Sequence, residues 1–234
     1  MNHFKKSKQN QSKIVKFDKE KVGMKVEIWS DVMCPFCYIG KRRFEKAVNE
    51  LNLDNIEIEY KSFLLNADLK TDPNLSAQQQ LADSKGMSLE EVGKMFNQVT
   101  DMAKGEGLNF DFDKSIVANS INAHRILQLA KKEGKQAEVK EMLLKAHFEE
   151  GKNIDDAPTL QALAEMAGIS KEKCQDVLNS DAFSEDVRAD IQRAREIGVK
   201  GVPFFVLGGK YAISGAQSAE VFKGALEQSL AEGL

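Results

Sequence analysis

The predicted elements form a small mixed α/β sheet interrupted by a large all-helical block. Three observations give that class. A strand–helix–strand pattern fills residues 26–61, and helix signals run almost unbroken over about 75–197. An apolar strand, a glycine turn, a second strand and a helix then close the chain. The ends of the helical block join strands that must share one sheet, so the block is an insertion rather than an appendage. The expected organisation is a basic tail over 1–23, a sheet-forming unit from 24–70 and 199–234, and a helical insertion over 71–198.

The opening 23 residues carry seven lysines against Asp18 and Glu20. They hold no continuous apolar core and no small-residue cleavage site, so they read as a solvated tail or an arm for an acidic partner, not an export signal. The cytoplasm is the expected location. Val26–Trp29 is short, alternating and β-prone, and reads as a strand. Ser30–Pro35 is a loop. From Phe36 to about Leu51 the apolar residues Ile39, Phe44, Ala47, Val48 and Leu51 recur at helical spacing. Ile56–Lys61 alternates as a second strand, and so short a crossover predicts a parallel pair.

In the block, Ser88-Leu89-Glu90-Glu91 is a capping box opening a helix that runs to about Lys104. Helices follow near 116–132, 136–150, 159–167, 171–179 and 185–197, with glycines marking several ends. Val202–Leu207 is a strand, Gly208-Gly209 a two-residue hairpin turn, and Lys210–Ile213 the returning strand. Ser218 caps a last helix containing Val221, Phe222, Ala225, Leu226 and Leu230.

Composition limits the function. The chain has 234 residues, 42% of them hydrophobic and 29% charged, with a formal net charge of −3. This is a globular composition without a membrane-length apolar run, and its mild acidity argues against a broad nucleic-acid surface. Neither membrane nor nucleic acid is an expected partner. Three cysteines are too few to staple a chain of this size.

Two of them carry the chemistry. Cys34-Pro35-Phe36-Cys37 follows the first strand and opens the first helix. Free backbone N–H groups and the helix dipole favour a thiolate at Cys34, which predicts a pKa below the ordinary value of about 8.5. Pro35 suits the first turn. Cys37 lies one turn along, where it can bridge Cys34 and resolve an intermediate. A zinc half-site and an inert structural pair are the other readings; zinc wants four ligands, and His3, His124, His147 and Cys174 offer no paired motif.

Gly201-Val202-Pro203 sets a proline at the start of a strand, which suggests a constrained turn. Together, Trp29–Arg43, Asn122–Arg125, Gly151–Ile154 and Gly198–Phe205 resemble the DsbA-like group of thioredoxin-fold proteins, and most closely its FrnE-like branch. The resemblance spans about residues 25–230. It implies a thioredoxin-like fold with a helical insertion, and a cis Pro203 facing the cysteines. It also implies substrate contacts by Val202, Pro203, Phe36 and Pro35, with the Val202 backbone adding a strand to an extended peptide. Phe36 stands where the family usually has tryptophan.

The activity expected is thiol–disulfide exchange through Cys34 and Cys37, without metal or organic cofactor. Protein or peptide thiols and disulfides are the expected partners, with glutathione a further candidate. In a reducing compartment the pair rests as a dithiol. The rivals are a glutathione-dependent kappa-type transferase or isomerase, which typically has serine in place of Cys34, and a non-catalytic peptide-binding holdase. Asp31 is read as a loop-bracing carboxylate or as a relay that accepts a proton from Cys37 through water. His124 and Arg125 are read as internal packing and ion-pairing residues or as groove contacts. Cys174 reads as an inert thiol. Met33, Phe36 and Tyr38 are candidates for an apolar rim, and Lys41, Arg42 and Arg43 for solvated cations.

Overall fold

The computed structural model describes residues 23–233; apart from Gly23, the tail expected over 1–23 lies outside the described residues. Strand β1 (Met24–Ser30), helix α1 (Pro35–Glu50) and strand β2 (Ile56–Ser62) form the opening unit, with β1 and β2 parallel from Met24–Ile56 to Ser30–Ser62. Strands β5 (Phe204–Leu207) and β6 (Tyr211–Ser214) complete the sheet, in the order β2-β1-β5-β6. β5 runs antiparallel to β1, pairing Trp29 with Phe204 and Val26 with Leu207.

Between β2 and β5 lie strand β3 (Asp72–Ser76), helices α2 (Ala77–Lys85) and α3 (Leu89–Gly105), strand β4 (Ile116–Val117), and helices α4 (Ile121–Lys132), α5 (Gln136–Phe148), α6 (Ala157–Met166), α7 (Lys171–Leu178) and α8 (Ser184–Glu196). Helix α9 (Ala219–Ala231) ends the fold. The capping box at Ser88 is formed, and Ser218 accepts from the Val221 N–H as the N-cap of α9.

Two local expectations are corrected. The helix expected to start near 116 starts at Ile121, because Ile116-Val117 pairs with β3 in a small second sheet. Asn119 enforces the break: its backbone N–H donates to Thr71 Oγ1 at 2.8 Å, and its side-chain oxygen accepts from Ile121 N–H at 2.8 Å. That local bond starts the helix two residues on. The terminal hairpin uses a three-residue link, Gly208–Lys210, since Leu207 pairs with Tyr211. Gly208 and Gly209 both have positive φ, a conformation open to glycine at little steric cost.

The sheet packs on α1 and α9 through Phe44, Phe205 and Phe222, whose ring centroids lie 4.6–5.6 Å apart. Its other face meets the helical insertion, which also closes the exposed edge of β2. Gln136 of α5 donates to Tyr60 O at 2.8 Å and accepts from Tyr60 N–H at 2.9 Å, as a neighbouring strand would. Asp190 of α8 accepts from Ser62 N–H at 2.9 Å. An edge paired in this way cannot template another chain. Among the described residues, no helix is long and apolar enough to cross a membrane.

Candidate active site

β1 ends at Ser30, and the chain turns through Asp31–Met33 into α1. Cys34 is the N-cap of α1 in extended conformation, and Pro35 occupies the first turn. The turn is closed by Cys37 N–H donating to Cys34 O at 3.0 Å and Cys34 N–H to Asp31 O at 3.3 Å. Both thiols are free and nearly covered, at 4% and 3% exposure.

The Val202–Pro203 peptide bond is cis. Its loop packs against the motif, and Cys34 Sγ lies 3.5 Å from Val202 O. Residues separated by 168 positions are thus brought into contact because β5, which follows the proline, pairs beside β1, which precedes the cysteines.

The two thiols are electrostatically linked, and the direction at Cys34 differs from the expectation of a low value there. The hydrogen bond to Cys37, burial and the negative charge of Asp31 push the Cys34 thiol well up, against a smaller lowering by the Cys37 backbone N–H. Burial also opposes charge on Cys37. There the hydrogen bond from Cys34, the Lys140 ammonium, the Ser30 hydroxyl and the Asp31 backbone N–H outweigh it and hold the thiol below its ordinary range. The helix N-terminus favours a thiolate, but burial of both sulfurs and the negative charge of Asp31 oppose one at Cys34.

Asp31 is buried. It accepts from Met33 N–H at 3.2 Å and Leu65 N–H at 2.8 Å, and lies 3.3 Å from His124 Nε2. Burial alone would raise its carboxyl, but His124, the Leu65 N–H and Ser120 hold it below the usual carboxylate range. These bonds brace the loop that carries the cysteines. His124 is fully buried; it packs beneath the loop and braces Asp31 rather than lining a groove.

Arg125 is also corrected. Its guanidinium donates to Ala182 O at 2.9 Å, to Val177 O and Ser180 O, and to Asn122 Oδ1 at 3.1 Å. It ties the end of α7 to α4, with no groove contact and no ion pair. Cys174 is fully buried in the insertion core with Leu160, Val177 and their neighbours.

The rim is partly as expected. Phe36 is 40% exposed, and Pro35, Met33 and Val202 are half-buried. Tyr38 is buried instead, stacked on Phe110 at 5.9 Å and donating to Glu141 Oε1 at 2.6 Å. Leu65, 53% exposed, joins the apolar surface through its backbone tie to Asp31; its place on the β2–β3 connection left no sequence signal. Lys41, Arg42 and Arg43 are ion-paired rather than free in solvent. Lys41 is buried and bridges Glu45 at 2.5 Å and Glu141 at 2.6 Å. Arg42 pairs with the same two acids, and Arg43 holds Glu106 at 2.6 Å and Ala216 O at 2.6 Å. Glu141 therefore clamps α5 of the insertion to α1.

Lys140, next to Glu141, was invisible to the sequence reading because lysine in an amphipathic helix defaults to the surface. The available signal was its spacing: residues 140, 144 and 147 lie on one helical face, and Leu144 is apolar.

The DSBA-like thioredoxin domain family matches residues 25–227 of the chain. The uncharacterized protein YwbO of Bacillus subtilis is 26% identical over 213 residues, which is 86% of this chain and 94% of that protein. A probable DsbA oxidoreductase, SCO1869 of Streptomyces coelicolor, has a structure similar at TM-score 0.84 and 36% identity, over 89% of this chain and 91% of its own. The cytosolic disulfide reductase DsbM of Pseudomonas aeruginosa, also solved with GSH, shares the fold at TM-score 0.63 and 15% identity, over 88% of this chain and 98% of its own.

Proposed function

The chain belongs to the DSBA-like thioredoxin domain family, and from that premise we propose that it exchanges disulfides with protein or peptide substrates through Cys34 and Cys37. The observation that carries this reading is the approach of Cys34 Sγ to Val202 O at 3.5 Å. It sets a sulfur beside a backbone edge on which an extended substrate can lie. Phe36, Leu65 and Met33 supply apolar area around it, and Pro35 and Pro203 shape the groove.

The pair acts as one acid. As a substrate disulfide approaches, the proton left on the singly ionised pair passes from Cys34 to Cys37. The Cys34 thiolate attacks a substrate sulfur, forming an S–S bond as the substrate S–S bond breaks and one substrate thiolate leaves. Cys37 then passes its proton to the departed substrate thiolate, and its sulfur attacks Cys34. A Cys34–Cys37 disulfide forms, the second substrate thiolate is released, and the substrate has gained the two electrons the pair has lost. Oxidation of a substrate dithiol is the same sequence reversed.

The Pseudomonas relative solved with GSH supports glutathione as a partner that resets the pair. Its cytosolic description suits the reductive direction and the cytoplasmic location read from the sequence, and the FrnE-like branch is kept as part of the same reading. The presence of two cysteines favours exchange over kappa-type transfer. Insulin disulfide reduction by the wild type and by Cys34→Ser tests the proposal. Loss of turnover in the variant is expected; retained turnover would overturn the role of Cys34. Retained suppression of protein aggregation by an otherwise inactive wild type would favour the holdase.

A further inference from the structure

Lys140 of α5 is 1% exposed and is among the largest fully buried side chains of the described residues. Among the described residues its Nζ has no hydrogen-bond partner, and it stands 6.0 Å from the centroid of the Tyr60 ring. An isolated buried ammonium carries a desolvation penalty of several kcal/mol, so a compensating negative charge is to be sought nearby.

On the same face of α5, Gln136 bonds Tyr60 of β2 and Leu144 packs with Tyr38 and Ile39 of α1, which sets Lys140 between β2 and the first turns of α1. The charged and titratable groups around it are Cys34 at the N-cap of α1, Cys37 and Lys41 of α1, Asp31 of the preceding loop and Tyr60 of β2, with His147 two turns along α5. Burial lowers the Lys140 ammonium from the ordinary lysine range, and the charges of Cys37, Asp31 and Cys34 oppose that. Asp31 is already bonded by His124 and two backbone N–H groups. Lys41 is neutralised by Glu45 and Glu141. His147 is held neutral, since burial pushes it down to about 4, and Tyr60 is held as the phenol, since burial pushes it up. The charge left without a counter-ion is that of the Cys34–Cys37 pair. Lys140 is the one cation of this group without an acidic partner.

We propose that Lys140 is a positioning residue for the disulfide chemistry, the cation through which the helical insertion holds negative charge on the Cys34–Cys37 pair. The inference rests on the reading of that pair as the reacting thiols. Lys140 touches neither sulfur and acts through space. The two electrons lost by the pair go to the substrate disulfide; the first proton leaves the dithiol for solvent and the second goes to the substrate thiolate, so Lys140 changes only how readily the first is given up. Because it favours the thiolate, it favours the reduced pair over the neutral disulfide and makes the motif more oxidising. The insertion then does more than cover the sheet, since it sets the redox poise of a motif that belongs to another part of the chain.

The test is the rate of alkylation by iodoacetamide against pH on the full chain, read at Cys34 and Cys37 by peptide mass spectrometry. Wild type is compared with Lys140→Met, Lys140→Gln and Lys140→Arg. Methionine keeps the stem and removes an unpartnered charge, so the fold is expected to hold. Met and Gln are expected to raise the motif's first ionisation by about one pH unit, a tenfold slower alkylation at pH 7. They should also shift the equilibrium with glutathione toward the disulfide. Arginine should restore most of both. Profiles of Met and Gln that superpose on wild type, in a wild type active in disulfide exchange, would overturn the role of Lys140 alone. A wild type inactive in exchange would overturn the reading of the pair instead. If Met fails to fold by circular dichroism, the Gln and Arg profiles decide by the same criteria.

Discussion

The ring of Pro203 rests on Gly40: a Cβ built on Gly40 would stand 2.9 Å from Pro203 Cγ. Gly40 lies mid-way along α1, where glycine is a poor helix former by about 1 kcal/mol against alanine. Helical propensity therefore favours Gly40→Ala, and packing opposes it. Pro203 is buried and its ring cannot swing aside, so the overpacking penalty of about 1–3 kcal/mol wins. The variant is expected to keep its helix content, lose about 1 kcal/mol of stability and exchange disulfides several-fold more slowly. Chemical denaturation and insulin reduction, measured together, check both halves.

Glu141 is the clamp between α5 and α1. Burial would raise its carboxyl, but Arg42, Lys41 and the Tyr38 hydroxyl hold it down to about 2. A carboxylate lowered in the folded state stabilises fully above its unfolded value near 4.5, and that contribution disappears as pH falls toward 2. Glu141→Gln is expected to cost about 2 kcal/mol at pH 7, mostly by leaving Lys41 and Arg42 under-paired, and nothing at the acid end. Urea midpoints of both proteins should draw together below about pH 4.5 and converge toward pH 2.

His147 gives the opposite residue type and the same direction. Burial lowers its imidazole from 6.5 to about 4, and its Nδ1 has no hydrogen-bond partner. Between those values the unfolded chain binds the proton and the folded one does not. Stability is therefore full above pH 6.5 and falls as the solution is acidified toward pH 4, by about 3 kcal/mol for this group. Replacing His147 with phenylalanine should flatten that stretch of the stability–pH curve.

Gln136 stands in for a fifth strand beside Tyr60. Gln136→Ala leaves a buried N–H and a buried C=O on β2 unpaired, at about 1–3 kcal/mol each if water cannot reach them. The expected result is a loss of about 2 kcal/mol, with amide exchange at Tyr60 accelerated more than at Ile28 of the neighbouring strand. Uniform acceleration would place the effect elsewhere.

These relationships show where sequence patterns stop being informative. The strands and helices were legible because their signals are local: the alternation at Ile56–Lys61, the Ser88–Glu91 box and the cap at Ser218. The redox motif was legible because Cys34, Pro35 and Cys37 lie within one helical turn. Val-Pro at 202–203 was legible through its position before a strand. The β3–β4 pair was missed because Ile116-Val117 is too short to alternate, and its partner lies 40 residues away. Lys140, Glu141 and Leu65 were missed for a different reason. Their roles depend on which helix or loop comes to rest against α1, and a residue's type does not record that. The electrostatics of the cysteine pair depend also on burial and on a cation 103 positions from Cys37, which the motif itself does not record.

The central claim is that Cys34 captures a substrate sulfur and Cys37 releases it. Trapping with Cys37→Ser tests it most directly. Mixed with a peptide disulfide, the variant should accumulate a covalent adduct that peptide mapping assigns to Cys34 and that a reductant releases. The absence of any adduct, or its appearance on Cys174 alone, would contradict the account.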